Sequence, residues 1–405
     1  MISIKRESCK ELIIYLLLFL IGLNFSGKAV FEIYLLALYV FLFLNSALVV
    51  PKSFFTVIIL CVGVLASQIF NGVDLTLFFL IKLGVYPVVF WTFYKIADYR
   101  VRFSENSKNC LVVFFYMMFF FALGNMVHMI ADISITDLSK INMGRRILND
   151  VWSGGTAPTT IIVGWGCINM AILLYAFEEK RTKKLALIFS SIMMIVYMIF
   201  SFIVATRLGI VNAILTFVVF IFLLSRDKKI NVSLNTLIKI LGAILVVVIL
   251  GIKLLPYIKS SNLYLRLAGD SLKLLDSNGR TAATVYLLQH FSKALLGGEY
   301  FTEQYGLQQH NILFQMYDLY GLLPFVCLGL ILISSVRHTI QVAKKDSFKN
   351  SEKRFVILFF FSIMLYCFEE PAISSNYIIT SMLFGYLGYM SATRRVMDKG
   401  EVKDG

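Results

Sequence analysis

Long apolar runs separated by short polar connectors make up most of the chain. Runs of about 20 apolar residues are long enough to cross the hydrocarbon core of a bilayer as an α-helix. The run TLIKILGAILVVVILGIKLL has no alternation of apolar and polar positions, so the spans are predicted to be helices and not transmembrane strands. The pattern therefore predicts an all-α polytopic membrane protein.

Apolar runs of suitable length predict about twelve transmembrane helices. Their expected bounds are 12–27, 30–50, 54–71, 75–96, 110–131, 159–177, 185–205, 208–224, 234–256, 311–335, 355–368 and 372–390.

Composition supports one integral membrane domain over residues 1–405. The hydrophobic share is 59%, only 15% of residues are charged, and the mean hydropathy is +0.79, which excludes a soluble globular domain. The net charge of +14 does not indicate nucleic-acid binding, because the basic residues lie in the connectors and do not form a patch on one folded face. Cysteines and histidines lack metal-ligand spacing, so no metal and no cofactor are expected.

The connectors also predict the orientation of the chain. Most of the 38 Lys and Arg residues fall in every second connector and in the two termini. Short cytoplasmic segments carry such an excess, so both termini are predicted to be cytoplasmic. Residues 132–158, Arg207 and the long segment 257–309 are then expected on the outer side.

Residues 257–309 form the longest predicted connector, and a structureless loop of that length is uncommon in a compact protein. Within it, TAATVYLLQHFSKALL has an approximate helical spacing of apolar residues, which predicts an amphipathic helix on the membrane surface. Gly297 and Gly298 are expected to end this helix.

Three arginines on the outer side are candidate anion-binding residues. Arg207 lies at a tight junction between two spans, where a charge is costly unless it is paired or hydrated. Arg266 and Arg280 lie in the long segment, and the planar guanidinium binds phosphate oxygens through two hydrogen bonds at once. For Arg207 the alternative is an interfacial arginine whose charge reaches water, and for the lysines of the long segment the alternative is a solvated surface.

The stretch HNILFQMYDLYGLL places His310 and Asn311 at the outer mouth of a span, next to Gln309. Histidine is the usual side chain for moving a proton near neutral pH, so His310 is a candidate base. Helix capping or an interfacial position is the alternative for His310.

Three further charged residues lie in or next to predicted spans. Lys82 is about two turns into the fourth span, and Glu369 and Glu370 lie at the outer end of the eleventh. The lysine is expected to line a cavity, and the glutamates to hold a sugar hydroxyl or to neutralise an arginine. A lysine that reaches water and a solvated helix end before Pro371 are the alternatives.

The order of these motifs resembles the O-antigen polymerase and O-antigen ligase superfamily. TRLG at 206–209, Arg280 followed by the surface helix and LLGGEY, and then HNILFQMYDLYGLL are similar to its three signatures, over residues 200–325. TRLG lacks the usual serine and small residue around the arginine, and Tyr286 stands where a tryptophan is frequent.

The resemblance implies a GT-C-like membrane glycosyltransferase with one large outer loop, in the bacterial inner membrane. Its substrates would be undecaprenyl-pyrophosphate-linked oligosaccharide units, donor and acceptor, joined without a metal and with inversion. A chain-length regulator and a flippase are the further partners expected.

The expected roles follow from this resemblance and from the chemistry of the side chains. His310 would be the catalytic base, and Arg207, Arg280 and Arg266 would bind pyrophosphate. The residues expected to bind sugar are Asn311, Gln309, Glu369, Glu370 and Lys82. Polymerisation into O-antigen or capsular polysaccharide is the favoured activity. A ligase that transfers the finished glycan and a lipid-linked oligosaccharide flippase are the alternatives.

Overall fold

The computed structural model describes twelve stretches of the chain. They are residues 6–27, 29–44, 50–103, 110–136, 147–152, 154–158, 164–179, 184–203, 206–226, 280–306, 309–370 and 372–400. The α-helices are α1 Arg6–Leu23, α2 Ala29–Phe43, α3 Lys52–Phe70, α4 Leu77–Phe103, α5 Cys110–Ile135, α6 Asn169–Glu178, α7 Lys184–Ile203, α8 Arg207–Arg226, α9 Arg280–Gln289, α10 Tyr300–Tyr305, α11 Ile312–Tyr320, α12 Leu322–Lys344, α13 Asn350–Glu369, α14 Ala372–Ser375 and α15 Tyr377–Gly400. Two 3₁₀ turns, Phe25–Gly27 and Phe291–Ala294, and an antiparallel pair of strands, β1 Ile147–Asn149 and β2 Thr156–Pro158, complete the elements.

The described part of the chain is almost entirely helical, which confirms the predicted all-α class. Six of its helices are long and apolar enough to cross a membrane: Lys52–Phe70, Leu77–Arg100, Cys110–Ile135, Lys184–Ser201, Leu208–Arg226 and Leu322–Lys344. Many large apolar side chains on them are exposed, as expected for helices that face hydrocarbon. The protein is therefore a membrane-embedded helical protein. The predicted span 234–256 lies outside the described residues.

Hydrogen bonds between distant parts of the chain identify two ends of the helical assembly. At the end called upper here, Trp152 Nε1 donates to the carbonyl oxygen of Leu23 (3.0 Å), and Asn71 Nδ2 donates to the carbonyl oxygen of Leu296 (3.0 Å). At the lower end, Lys10 Nζ donates to the carbonyl oxygen of Phe43 (2.9 Å). Successive long helices run between these ends in alternating directions.

The closest helix pairs are parallel and pack through glycines. In α1 and α5, a Cβ added to Gly22 would lie 2.0 Å from the carbonyl oxygen of Phe121, and one added to Gly124 would lie 2.0 Å from that of Phe19. In α4 and α15, Gly388 packs against the carbonyl oxygen of Phe90 in the same way. Small residues let helix backbones approach closely in membranes, where apolar surface alone drives little association.

The predicted single span 311–335 is wrong, because the helix breaks between α11 and α12. Gly321 has φ +84° and ψ −167°, a conformation that interrupts helical hydrogen bonding. A Cβ at this residue would lie 2.4 Å from the carbonyl oxygen of Leu295. The break therefore depends on a contact with Leu295, which the apolar pattern of the span does not contain.

The predicted surface helix also ends earlier than expected. It stops at Gln289 and continues as a 3₁₀ turn, so Gly297 and Gly298 lie beyond it. Leu287 is buried with Phe301 of α10 and Tyr317 of α11, and Ala283 is also buried, whereas Val285 and Leu288 are about half exposed. The helix thus presents one apolar face to the protein and leaves apolar side chains on the opposite side, as expected for a membrane surface.

Gly321→Ala is predicted to destabilise the protein. The alanine has to adopt a positive φ and its Cβ meets backbone atoms, so the free energy of unfolding should fall by about 1–3 kcal/mol. The melting temperature of the purified protein in detergent measures this. Gly329→Ala is the matched control in α12, because no atom lies within 4 Å of its added Cβ. Equal melting temperatures for the two variants would contradict the assignment of the break to Gly321.

Candidate functional site

His310 lies at the upper end, against the last turn of α13. Its Nδ1 is 3.2 Å from the carbonyl oxygen of Glu369 and 3.9 Å from Oε2 of Glu370. A carbonyl oxygen can only accept a hydrogen bond, so the proton of a neutral His310 resides on Nδ1 and the lone pair on Nε2. This arrangement orients the imidazole with Nε2 as the atom that can take up a proton.

The two neighbours of His310 have different roles. Asn311 caps α11, because its Oδ1 accepts a hydrogen bond from the backbone N–H of Leu313 (2.9 Å). The capping residue is therefore Asn311 and not His310. Gln309 is 97% buried, and its Nε2 has no hydrogen-bond partner within the described stretches. An unsatisfied buried amide is costly, which makes Gln309 a candidate contact for a bound molecule.

Residues 369–377, between α13 and α15, connect this site to several helices. The backbone N–H of Ile373 donates to Oε1 of Gln315 on α11 (2.9 Å). Asn376 accepts from Trp165 Nε1 (2.8 Å) and donates from Nδ2 to the Tyr366 hydroxyl (3.0 Å). The connection thus fixes the start of α11 relative to α13 and to the residues that precede α6.

Lys82 lines a cavity at the same end. Its Nζ lies 4.4 Å from the ring centroid of Phe78 and 5.1 Å from that of Tyr377. The cavity has a volume of about 170 Å³, and the side chains of Tyr86 and Tyr320 also line it. Aromatic faces attract a cation, so both rings favour this position of the Lys82 ammonium group.

Two of the predicted signatures contact each other through their backbones. The N–H of Glu299 donates to the carbonyl oxygen of Asp318 (2.9 Å), and the N–H of Leu322 donates to that of Leu295 (2.9 Å). The Asp318 carboxylate in turn accepts from the backbone N–H groups of Phe301 (2.8 Å) and Thr302 (3.0 Å). LLGGEY is therefore fastened to the segment that begins with His310 and Asn311.

The pKa of Glu299 is raised at this contact. Burial raises the pKa of Glu299 above its ordinary value, and the nearby carboxylates of Asp318 and Glu303 raise it further.

The predicted arginines are only partly within the described residues. Arg207 and Arg280 are the first residues of α8 and α9, both at the upper end. Arg266, and the side chains of Arg207 and Arg280, lie outside what the structure describes. Gly209 of TRLG packs against Ser201 of α7, so the motif forms a close helix junction.

A second polar cluster, which the sequence analysis did not identify, lies within α5 and the β-hairpin. His128 Nε2 is 3.4 Å from Oδ2 of Asp132 and 3.8 Å from Oδ2 of Asp150, and all three residues are buried. Neither ring nitrogen of His128 has a hydrogen bond within the described stretches. The four-residue spacing of His128 and Asp132 on a membrane helix is the signal that could have revealed them.

No known protein-family model matches the chain, and no curated protein is significantly similar to it. Fold and site together define a membrane-embedded helical protein with a polar site at one end of its helices.

Gln315→Met is predicted to loosen residues 369–377 from α11. The substitution keeps the length of the side chain and leaves the buried N–H of Ile373 without its acceptor, which costs about 1–3 kcal/mol. A lower melting temperature in detergent is the expected result. Gln289→Met, on an exposed position of α9, is the control. If both variants melted at the wild-type temperature, the hydrogen bond from Ile373 N–H to Gln315 would not stabilise this connection.

Proposed function

We propose that the protein is a polysaccharide polymerase that joins lipid-pyrophosphate-linked oligosaccharide units at the upper end, which faces outward. The supporting observation is the orientation of His310 by Glu369 and Glu370, at the same end as the helix starts of Arg207 and Arg280. The resemblance of the motif order to O-antigen polymerases supplies the reaction class.

In the proposed reaction, the acceptor hydroxyl oxygen forms a bond to the anomeric carbon of the donor sugar. The bond from that carbon to the pyrophosphate oxygen breaks, and undecaprenyl pyrophosphate leaves with the bonding electron pair. His310 Nε2 takes the hydroxyl proton as the attack proceeds. A single displacement inverts the anomeric configuration.

The residues around His310 have distinct parts in this step. The Glu369 carbonyl oxygen holds Nδ1–H, and the Glu370 carboxylate, 3.9 Å from Nδ1, stabilises the imidazolium that forms. Arg207, Arg280 and Arg266 would oppose the charge that grows on the leaving pyrophosphate. Gln309, Lys82 and the amide nitrogen of Asn311 would donate hydrogen bonds to sugar oxygens.

The alternatives stated above have their own supporting features. A ligase would share the donor and the site, and differs only in its acceptor. The buried cluster of His128, Asp132 and Asp150 is the observation that favours a transporter, because ionisable groups within a membrane commonly mark proton or ion pathways. The product that accumulates in variants separates these activities.

His310→Ala is predicted to abolish growth of the glycan, because the variant lacks the imidazole nitrogen that accepts the proton of the acceptor hydroxyl. Lipid-linked glycan from cells with the variant, compared by gel with wild type and a deletion, should collapse from a ladder to single repeat units at normal protein level. His290→Ala is the control, because His290 stacks on Tyr286 of the surface helix and has no proposed part in the reaction. A normal ladder from His310→Ala would reject the proton-transfer role, and unattached long chains would indicate a ligase.

Arg280→Lys is predicted to shorten the glycan almost as much as Arg280→Gln. Lysine keeps the charge but loses the two-pronged contact with pyrophosphate oxygens, so charge alone should not restore function. The length distribution of the lipid-linked glycan measures this. Wild-type chain lengths with Arg280→Lys would place pyrophosphate recognition elsewhere.

A further inference from the structure

A cavity of about 440 Å³ lies at the lower end, between α8, α12 and α13. On α13 the cavity reaches no further than Phe360, which lies nine residues, or about 14 Å at 1.5 Å per residue, from Glu369 beside His310. The cavity is therefore distinct from the proposed reaction site. Its lining combines basic side chains with a broad apolar wall.

Four basic residues line this cavity: Arg226, Lys344, Lys353 and Arg354. Arg354 is paired with Glu178, with a distance of 3.0 Å from Nε to Oε1, and Lys353 lies 4.0 Å from the exposed Asp346. Arg226 and Lys344 form no ion pair with any carboxylate of the described residues. Two positive charges thus remain available in the cavity, which favours an anion.

The wall of the cavity belongs to the surface that faces hydrocarbon. Val336 and Ile340 are 44% and 48% exposed, on the apolar span Leu322–Lys344, and Phe360 of α13 continues the wall. A soluble anion would use the positive charges but would leave this apolar surface uncovered. A molecule with an anionic head and a hydrocarbon tail complements both parts.

We propose that this cavity binds the headgroup of one anionic phospholipid, with an acyl chain along Val336 and Ile340. Arg226 and Lys344 contact the phosphate, and the paired Lys353 and Arg354 contribute hydrogen-bond donors at the rim. Basic cavities between helix ends at a membrane surface are suited to such lipids. The lipid would fix the lower ends of α8, α12 and α13 relative to one another.

The test measures lipid binding to the full-length protein. Purified, delipidated protein in detergent is titrated with phosphatidylglycerol, phosphatidylcholine or glycerol 3-phosphate, and bound lipid is counted by native mass spectrometry alongside the melting temperature. We expect one phosphatidylglycerol per chain, with a rise in melting temperature, and no comparable effect from the other two. Equal effects of both lipids, or an equal effect of glycerol 3-phosphate, would overturn the proposal.

A variant pair then locates the site. Arg226→Gln combined with Lys344→Gln removes the two unpaired charges and should weaken phosphatidylglycerol binding about 30-fold. Lys52→Gln combined with Lys184→Gln removes two exposed charges at the same end that do not line the cavity, and should bind as wild type does. Unchanged binding in the first pair would place the lipid elsewhere. The wild-type lipid preference decides the proposal even if that pair fails to fold.

Discussion

The connection between α13 and α15 holds the upper end of the molecule together. Its carbonyl oxygen at Glu369 accepts from His310, its backbone N–H at Ile373 donates to Gln315, and Tyr377 faces Lys82. Asn376 joins the same connection to Trp165. Three segments that are distant in sequence, namely the start of α11, α4 and the residues before α6, therefore contact the residues between α13 and α15. Because the Glu369 carbonyl oxygen orients the imidazole of His310, the position of this connection also determines the position of Nε2.

The segment LLGGEY, residues 295–300, adds a second constraint to the same end. LLGGEY meets Gly321 through backbone contacts too close for any side chain, and Ser67 and Asn71 of α3 bind the carbonyl oxygen of Leu296. LLGGEY is thereby tied both to the end of α3 and to the segment that follows His310. In the proposed polymerase, this arrangement would hold α9, which begins at Arg280, at the same end of the molecule as His310.

The length of the apolar runs was sufficient to predict the helical membrane class and most long helices. An apolar run as long as α5 can cross a bilayer as a helix, so its length alone indicates a span. It could not predict the break at Gly321, which depends on a backbone contact with Leu295, more than twenty residues away. Candidate residues such as His310 and Glu370 were identified from their charge beside spans, but their approach to one another depends on tertiary packing. The sequence analysis tested the histidines only for metal-ligand spacing, so it missed the pairing of His128 with Asp132 on α5 and with Asp150 in the β-hairpin.

The most direct test of the account is a reaction with purified components. Lipid-linked oligosaccharide from cells lacking the protein is incubated with the wild type or with His310→Gln, and both glycan length and free undecaprenyl pyrophosphate are measured. The account predicts that wild type forms chains of two or more units and releases one lipid pyrophosphate per new linkage, whereas the variant does neither. Two results would contradict the account. One is intact lipid-linked oligosaccharide after incubation with correctly folded wild type, and the other is movement of that oligosaccharide across a liposome membrane without bond formation.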